Sequence, residues 1–164
     1  MGKKALVVYA TRCGSTKKVA EIVAQKLSKA GYSTEVASPS KSLEVAPYNL
    51  VVIGSAIRAG KCMNEVESFA KFRSVELEGK KTALFVVCLT MKDDNDKTRS
   101  EVGEYFKPLE QFVKPISKGL FAGAMDYKKV PFVLRFLMKK MGAPEGDFMD
   151  PNKIEEWAAQ IANM

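Results

Sequence analysis

Three continuous apolar runs constrain this chain most strongly: Ala5-Leu6-Val7-Val8-Tyr9-Ala10, Leu50-Val51-Val52-Ile53-Gly54 and Ala83-Leu84-Phe85-Val86-Val87-Cys88-Leu89. Each is short and rich in β-branched and aromatic residues, without the polar alternation of a strand that has one wet face. Such runs are central parallel strands covered on both sides. A more polar strand at 33–37 and a glycine-containing one at 119–124 suit positions nearer a sheet edge.

Between the runs, apolar residues recur at helical spacing, at Val19, Ile22, Val23 and Leu27 and again at Val66, Phe69 and Ala70. A third stripe, Val102, Tyr105, Phe106, Leu109, Phe112 and Val113, is interrupted by Pro108 and ended by Pro115. Asp150-Pro151 offers an N-cap and first-turn proline for a last helix that turns Ile154, Trp157, Ala158 and Ile161 inward. With no internal repeat or linker, this alternation predicts one α/β domain over 1–164. The expected architecture is an open five-stranded parallel sheet of order 2-1-3-4-5 with helices on both faces.

Composition narrows the chemistry. The 164 residues include no histidine, which excludes Ser-His-Asp triads, Cys-His dyads and His-ligated zinc. Cys13, Cys62 and Cys88 form no C-x-x-C pair, so neither a metal site nor a disulfide framework is expected. Residues 5–10 are too few for a signal-peptide core, and no apolar run approaches the roughly 18 residues of a membrane span. A cytoplasmic chain is expected. The net charge of +7 attracts anionic cofactors, acidic proteins or anionic lipids. The lysines form no aromatic-interleaved groove, and no nucleic-acid partner is expected.

Ligands of such sheets lie beyond the carboxyl ends of the strands at the switch point, here strands one and three, which selects the loops at 11–16 and 54–63. Thr11-Arg12-Cys13-Gly14-Ser15-Thr16 follows a buried strand and opens a helix. It offers hydroxyls, a glycine and the free N–H groups of a helix's positive end, an arrangement that cradles an anion. The alternative is structural, with Ser15 or Thr16 capping the helix and Gly14 turning the chain. G-x-G-x-x-G and G-K-[ST] are both absent, which disfavours dinucleotides and ATP, whereas hydroxyl donors suit a terminal phosphomonoester.

This loop resembles the T-x-T-G-x-T phosphate loop of the flavodoxin family, with Thr11, Gly14, Ser15 and Thr16 matching and Cys13 in the third position. The segments 10–16, 52–60 and 122–127 are similar to the branch of that family that contains menaquinone-dependent protoporphyrinogen dehydrogenase. The resemblance implies FMN, with its phosphate at Thr11, Arg12, Cys13, Gly14, Ser15 and Thr16. It places the isoalloxazine between the loops at 54–63 and 88–93, against Ser55, Ala56, Ile57, Arg58, Gly60, Lys61, Cys88, Leu89 and Thr90. No catalytic acid or base is required, because the flavin carries the redox chemistry.

The sequence also departs from that family. Neither ring loop holds an aromatic residue, leaving Leu89, Met91 or Met63 to cover the flavin. Arg58, Lys61 and Lys92 flank the loops, and cations there favour a negatively charged reduced ring, hence a higher potential than an acidic site gives. Gly60 either presents its peptide to the ring or makes a plain tight turn. Cys13 is either a reactive thiol at a helix N-terminus or a stand-in for a hydroxyl, Cys88 reads as a buried strand residue and Cys62 as a loop residue.

A basic, apolar insert at about 126–149 follows the fifth strand. Val130, Leu134, Leu137 and Met141 share one helical face, with Lys128, Lys129, Arg135, Lys139 and Lys140 around it. It is either a core helix with solvated lysines or a peripheral membrane contact through residues 128–142. The leading expectation is an FMN-binding electron-transfer protein whose partner is an acidic redox protein such as a ferredoxin, or a quinone. The alternatives are a quinone-linked protoporphyrinogen dehydrogenase of heme biosynthesis and a flavin-free partner-binding module.

Overall fold

The computed structural model describes residues 2–142 and 145–164. The chain runs through β1 (Lys3–Ala10), α1 (Ser15–Lys29), β2 (Tyr32–Ala37), β3 (Leu50–Arg58), β4 (Lys61–Cys62), α2 (Asn64–Phe72) and α3 (Ser74–Glu78). It continues through β5 (Lys81–Val87), α4 (Asp96–Gly103), α5 (Lys107–Glu110) and β6 (Ser117–Phe121). It closes with β7 (Ala124–Met125), α6 (Phe132–Lys140), β8 (Gly146–Asp147) and α7 (Pro151–Asn163). The sheet order is β2-β1-β3-β5-β6, every neighbouring pair parallel, with β4 added antiparallel to the end of β3. Apart from that two-residue addition, this is the order expected from the apolar runs.

Alternate residues of each central strand enter opposite cores because successive side chains leave a strand on opposite faces. Leu6, Val8, Val51, Ile53, Leu84 and Val86 pack with Val66, Phe69, Leu77, Val102, Phe106 and Leu109 from α2 to α5. Val7, Val52, Ala83, Phe85 and Val87 pack with Val19, Val23, Leu27, Ile154, Trp157 and Ile161 from α1 and α7. Phe85, Phe121 and Trp157 meet as tilted or edge-on rings with centroids 5.5 to 6.2 Å apart, and Trp157 Nε1 donates to Ser117 Oγ at 2.9 Å. Gly54 makes room for this cluster, since a Cβ there would lie 2.0 Å from Phe85 Cζ.

Local sequence explains most element boundaries. Asp150 Oδ1 accepts from the N–H groups of Asn152 and Lys153 and opens α7, as the Asp-Pro pair predicts. The third apolar stripe is broken into α4, a 3₁₀ turn at Glu104–Phe106 and α5, with Pro108 in the last piece. Three expectations need correction. β5 stops at Val87, so Cys88 is a half-buried residue just beyond the strand, its N–H donating to Phe121 O at 3.0 Å. Cys62 is not in a loop but is the buried residue of β4. The fifth strand ends at Phe121 rather than 124, because Ala124 and Met125 pair antiparallel with Asp147 and Gly146 instead.

For residues 128–142 the sequence leaves a core helix and a peripheral membrane contact as alternatives. No residue of α6 is buried, which sets the core helix aside, and of the four residues expected to share one helical face only Val130, which precedes α6, is buried. Residues 143 and 144 of the expected insert lie outside the described residues. Among the described residues no helix is long and apolar enough to cross a membrane.

Candidate cofactor site

Register brings the candidate loops together. Ala10 pairs with Ser55 and Val87 with Ala56, so β1 and β5 end at one level while β3 continues to Arg58, and residues 11–16, 56–63 and 88–93 lie side by side. This is the carboxyl edge of the sheet at its switch point, where β1 has β2 on one side and β3 on the other.

The first loop is built around the start of α1. Gly14 holds the N-cap position with φ +92°, and no side chain caps the helix. The capping alternative for Ser15 and Thr16 is therefore not what these side chains do. Thr11 Oγ1 accepts the Gly14 N–H at 3.0 Å and closes the loop on itself. Ser15 Oγ accepts from Ala124 N at 3.0 Å and donates to Ala124 O at 3.1 Å, tying the loop to β7. Thr16 is fully buried, and its Oγ1 has no hydrogen-bond partner. Arg12 is exposed and Cys13 half-buried.

A buried hydroxyl without a partner costs about 1–3 kcal/mol of desolvation, so such atoms are scarce. This one sits at the first turn of a helix whose leading N–H groups have no intrahelical acceptor. An anion placed against that turn would receive those N–H groups and the Thr16 hydroxyl together. The donor set fits a phosphomonoester: neutral hydrogen-bond donors and the helix's positive end, with Arg12 at the exposed rim.

The second loop is a β-hairpin extension of β3. Ser55 is buried, and its Oγ accepts from Met63 N at 2.8 Å and donates to Ala56 O at 2.7 Å, fixing the base of the segment. Ala56 and Ile57 are half-buried, while Arg58 and Lys61 are exposed and pair across the ladder. The two residues between them, Ala59 and Gly60, have φ +51° and +73°. Positive φ at both central positions is the mark of a type I′ hairpin turn, whose twist matches that of the strands. Gly60 thus serves as a tight-turn residue, and Ala59 adopts a conformation that disfavours its own Cβ.

The third loop leaves β5 through Cys88 into a 3₁₀ turn at Leu89–Lys92. Cys88, Leu89 and Thr90 are half-buried. Met91 and Met63 are both buried in the core on the α2–α5 side, which leaves the half-buried Leu89 as the apolar residue of this group outside that core. Lys92 pairs with Asp93 at 2.6 Å, while Arg58 and Lys61 stand exposed on the hairpin. Burial pushes the Cys62 thiol up to about 11, and burial raises Cys88 as well, so both stay protonated at neutral pH.

Sequence reasoning missed two contributors. Tyr105, in the 3₁₀ turn after α4, lies beside the hairpin: a Cβ on Gly60 would sit 3.8 Å from its Cε1, and its carbonyl accepts from Cys62 Sγ at 3.4 Å. Its hydroxyl donates to Glu101 Oε1 at 3.3 Å, and burial, with Glu101 nearby, raises its pKa. Its place on the third stripe marked Tyr105 as a core residue, and nothing local tied it to a turn more than 40 residues upstream. Gly123 and Ala124 are the second addition, reaching the phosphate loop through Ser15. The Ala122-Gly123-Ala124 segment was part of the family resemblance, which is the signal that could have placed it.

Comparison with known proteins bears on the fold and the family. A family model described as a flavodoxin domain matches residues 6–152. The chain is 26% identical over 174 residues to protoporphyrinogen IX dehydrogenase (quinone) of Escherichia coli strain K12, covering 98% of this chain and 96% of that protein. It is 28% identical to the protein of the same description from Leishmania major, over 95% of this chain and 71% of that one. Among solved structures, oxidised flavodoxin 1 of Bacillus cereus superposes with a TM-score of 0.63 at 15% identity, with 98% of both chains covered. The open parallel sheet, the loop that follows β1 and the extent of the family match lead to one assignment: the chain belongs to the flavodoxin domain family.

Proposed function

We propose that this chain is an FMN-dependent electron-transfer protein. The observation that carries the reading is the buried, unpartnered Thr16 hydroxyl at the first turn of α1, beside a loop of the flavodoxin pattern. When bound, FMN supplies the one- or two-electron chemistry. The chain's own residues hold and orient it. The leading N–H groups of α1 and Thr16 Oγ1 receive the phosphate, with Thr11 and Gly14 shaping the loop. The hairpin from Ser55 to Lys61 and the turn from Cys88 to Thr90 flank the ring, with Ser55 fixing one base and Tyr105 supporting the turn at Gly60. Arg58 and Lys61 supply positive charge at this rim, which favours a negatively charged reduced flavin and raises its potential.

The same rim suits an acidic redox partner such as a ferredoxin, or a quinone, as electron donor or acceptor. A second reading is supported by the relatives described as protoporphyrinogen IX dehydrogenase (quinone), which match over nearly the whole chain. Under it, the exposed helix α6 within residues 128–142 would bring the protein to the membrane that holds quinone. Anaerobic assays of the FMN-loaded protein with protoporphyrinogen and menaquinone separate the two. The carrier reading expects no porphyrin formation beyond that of free FMN, and sustained turnover would replace it with the dehydrogenase.

A further inference from the structure

We propose that α6 is an interfacial helix that seats this chain on an anionic lipid surface. The proposal deepens the peripheral-contact reading above and rests on it for its use, but its observations are those of α6 itself. Phe132 is 79% exposed, Val133 81%, Phe136 67% and Met141 77%, with Leu137 half-exposed. At about 100° per residue these five fall within roughly half of the helix circumference. Arg135 and Met138, on the other side, are half-buried.

The helix is fastened with that apolar arc outward. Tyr127 and Val130 are buried just before it, and Arg135 Nη2 donates to Val130 O at 3.2 Å and to Lys128 O at 3.4 Å. Lys139 Nζ lies over the Tyr127 ring, 5.3 Å from its centroid. Residues 127–144 contain five basic side chains and no acidic one.

Charge and shape choose a lipid surface over a protein groove. A helix laid into a groove presents anchors at i, i+3, i+4 and i+7 on one face, whereas these five residues spread over about half of the circumference. Lys140, exposed, falls inside the arc between Phe136 and Val133. A dry groove would bury its ammonium unpaired, at high cost. At a membrane interface the same side chain extends to anionic headgroups while the neighbouring phenylalanines enter the acyl boundary.

The test uses FMN-free full-length protein, so that failure to hold flavin leaves its result untouched. Co-sedimentation with vesicles of equimolar phosphatidylglycerol and phosphatidylcholine should show binding that is absent with pure phosphatidylcholine and falls with added salt. Phe132→Ser with Phe136→Ser, both on exposed positions, should lower the partition coefficient about tenfold or more. Phe136→Trp should show a fluorescence blue shift only with the anionic vesicles, against the buried Trp157. Absence of wild-type binding to anionic vesicles, or equal binding by the double-serine variant, would overturn the proposal. So would capture of the protein by an acidic polypeptide through the same residues without vesicle binding.

Discussion

Thr16 carries more of the cofactor account than any other residue because its hydroxyl is buried without a partner in the protein alone. Thr16→Val keeps the shape and removes the donor. FMN affinity should then fall roughly tenfold to a hundredfold, the loss of one hydrogen bond to a charged group worth about 1.5–3 kcal/mol, while the apo protein unfolds at the same urea concentration or a higher one. Flavin fluorescence quenching on titration measures the first and urea unfolding the second. The thiols give a further check at this scale. With its pKa pushed up to about 11 by burial, Cys62 should resist iodoacetamide at pH 8, whereas the half-buried Cys13 is alkylated first, as peptide mass mapping would show. Thr16 was legible in the sequence because a local motif places it. The tie from Ser15 to Ala124 and the packing of Tyr105 near Gly60 were not, since they join residues 109 and 45 positions apart that only the folded sheet brings together.

Among the elements, β3 has the least tolerance. Gly54→Ala would drive a Cβ to 2.0 Å from the Phe85 ring between two buried strands, and should destabilise the fold by about 3 kcal/mol, measured as a shift in the urea midpoint. The start of α7 is joined to the segment after β5 by Asp94, which accepts from Arg99 Nε at 2.5 Å, Arg99 Nη2 at 2.9 Å and Lys153 Nζ at 2.7 Å. Arg99 first, then Lys153, holds this carboxyl down at about 2, against an unperturbed value of 3.8. A depressed acid contributes stability above its unfolded value and loses it as pH falls through the folded one. Asp94→Asn should therefore cost about 1 kcal/mol at pH 7, where the partners are half-exposed, and progressively less from pH 4 down to 2. The strands and the opening of α7 could be read from local signals, namely apolar runs and the Asp-Pro pair. The β4 hairpin could not, because Ala59 carries no sequence mark of positive φ, and the end of the fifth strand could not, because long-range pairing with β8 removes Ala124 from it. For α6 the spacing was legible but its surroundings were not, since periodicity says which residues share a face and nothing about what covers it.

At the level of the whole molecule, a net charge of +7 sits on a fold that gathers three loops at one edge of a parallel sheet. Electron transfer to an acidic partner should accelerate at low ionic strength and slow by about tenfold or more as salt screens the attraction, as stopped-flow rates against salt would record. If this edge holds one FMN, the visible absorption spectrum of the protein after incubation with FMN and desalting shows it most directly. Flavin bands should be retained at about one FMN per chain, and lost when excess phosphate-free riboflavin replaces FMN in the incubation. A protein that emerges colourless from the FMN incubation would contradict it and leave the fold as a flavin-free binding module.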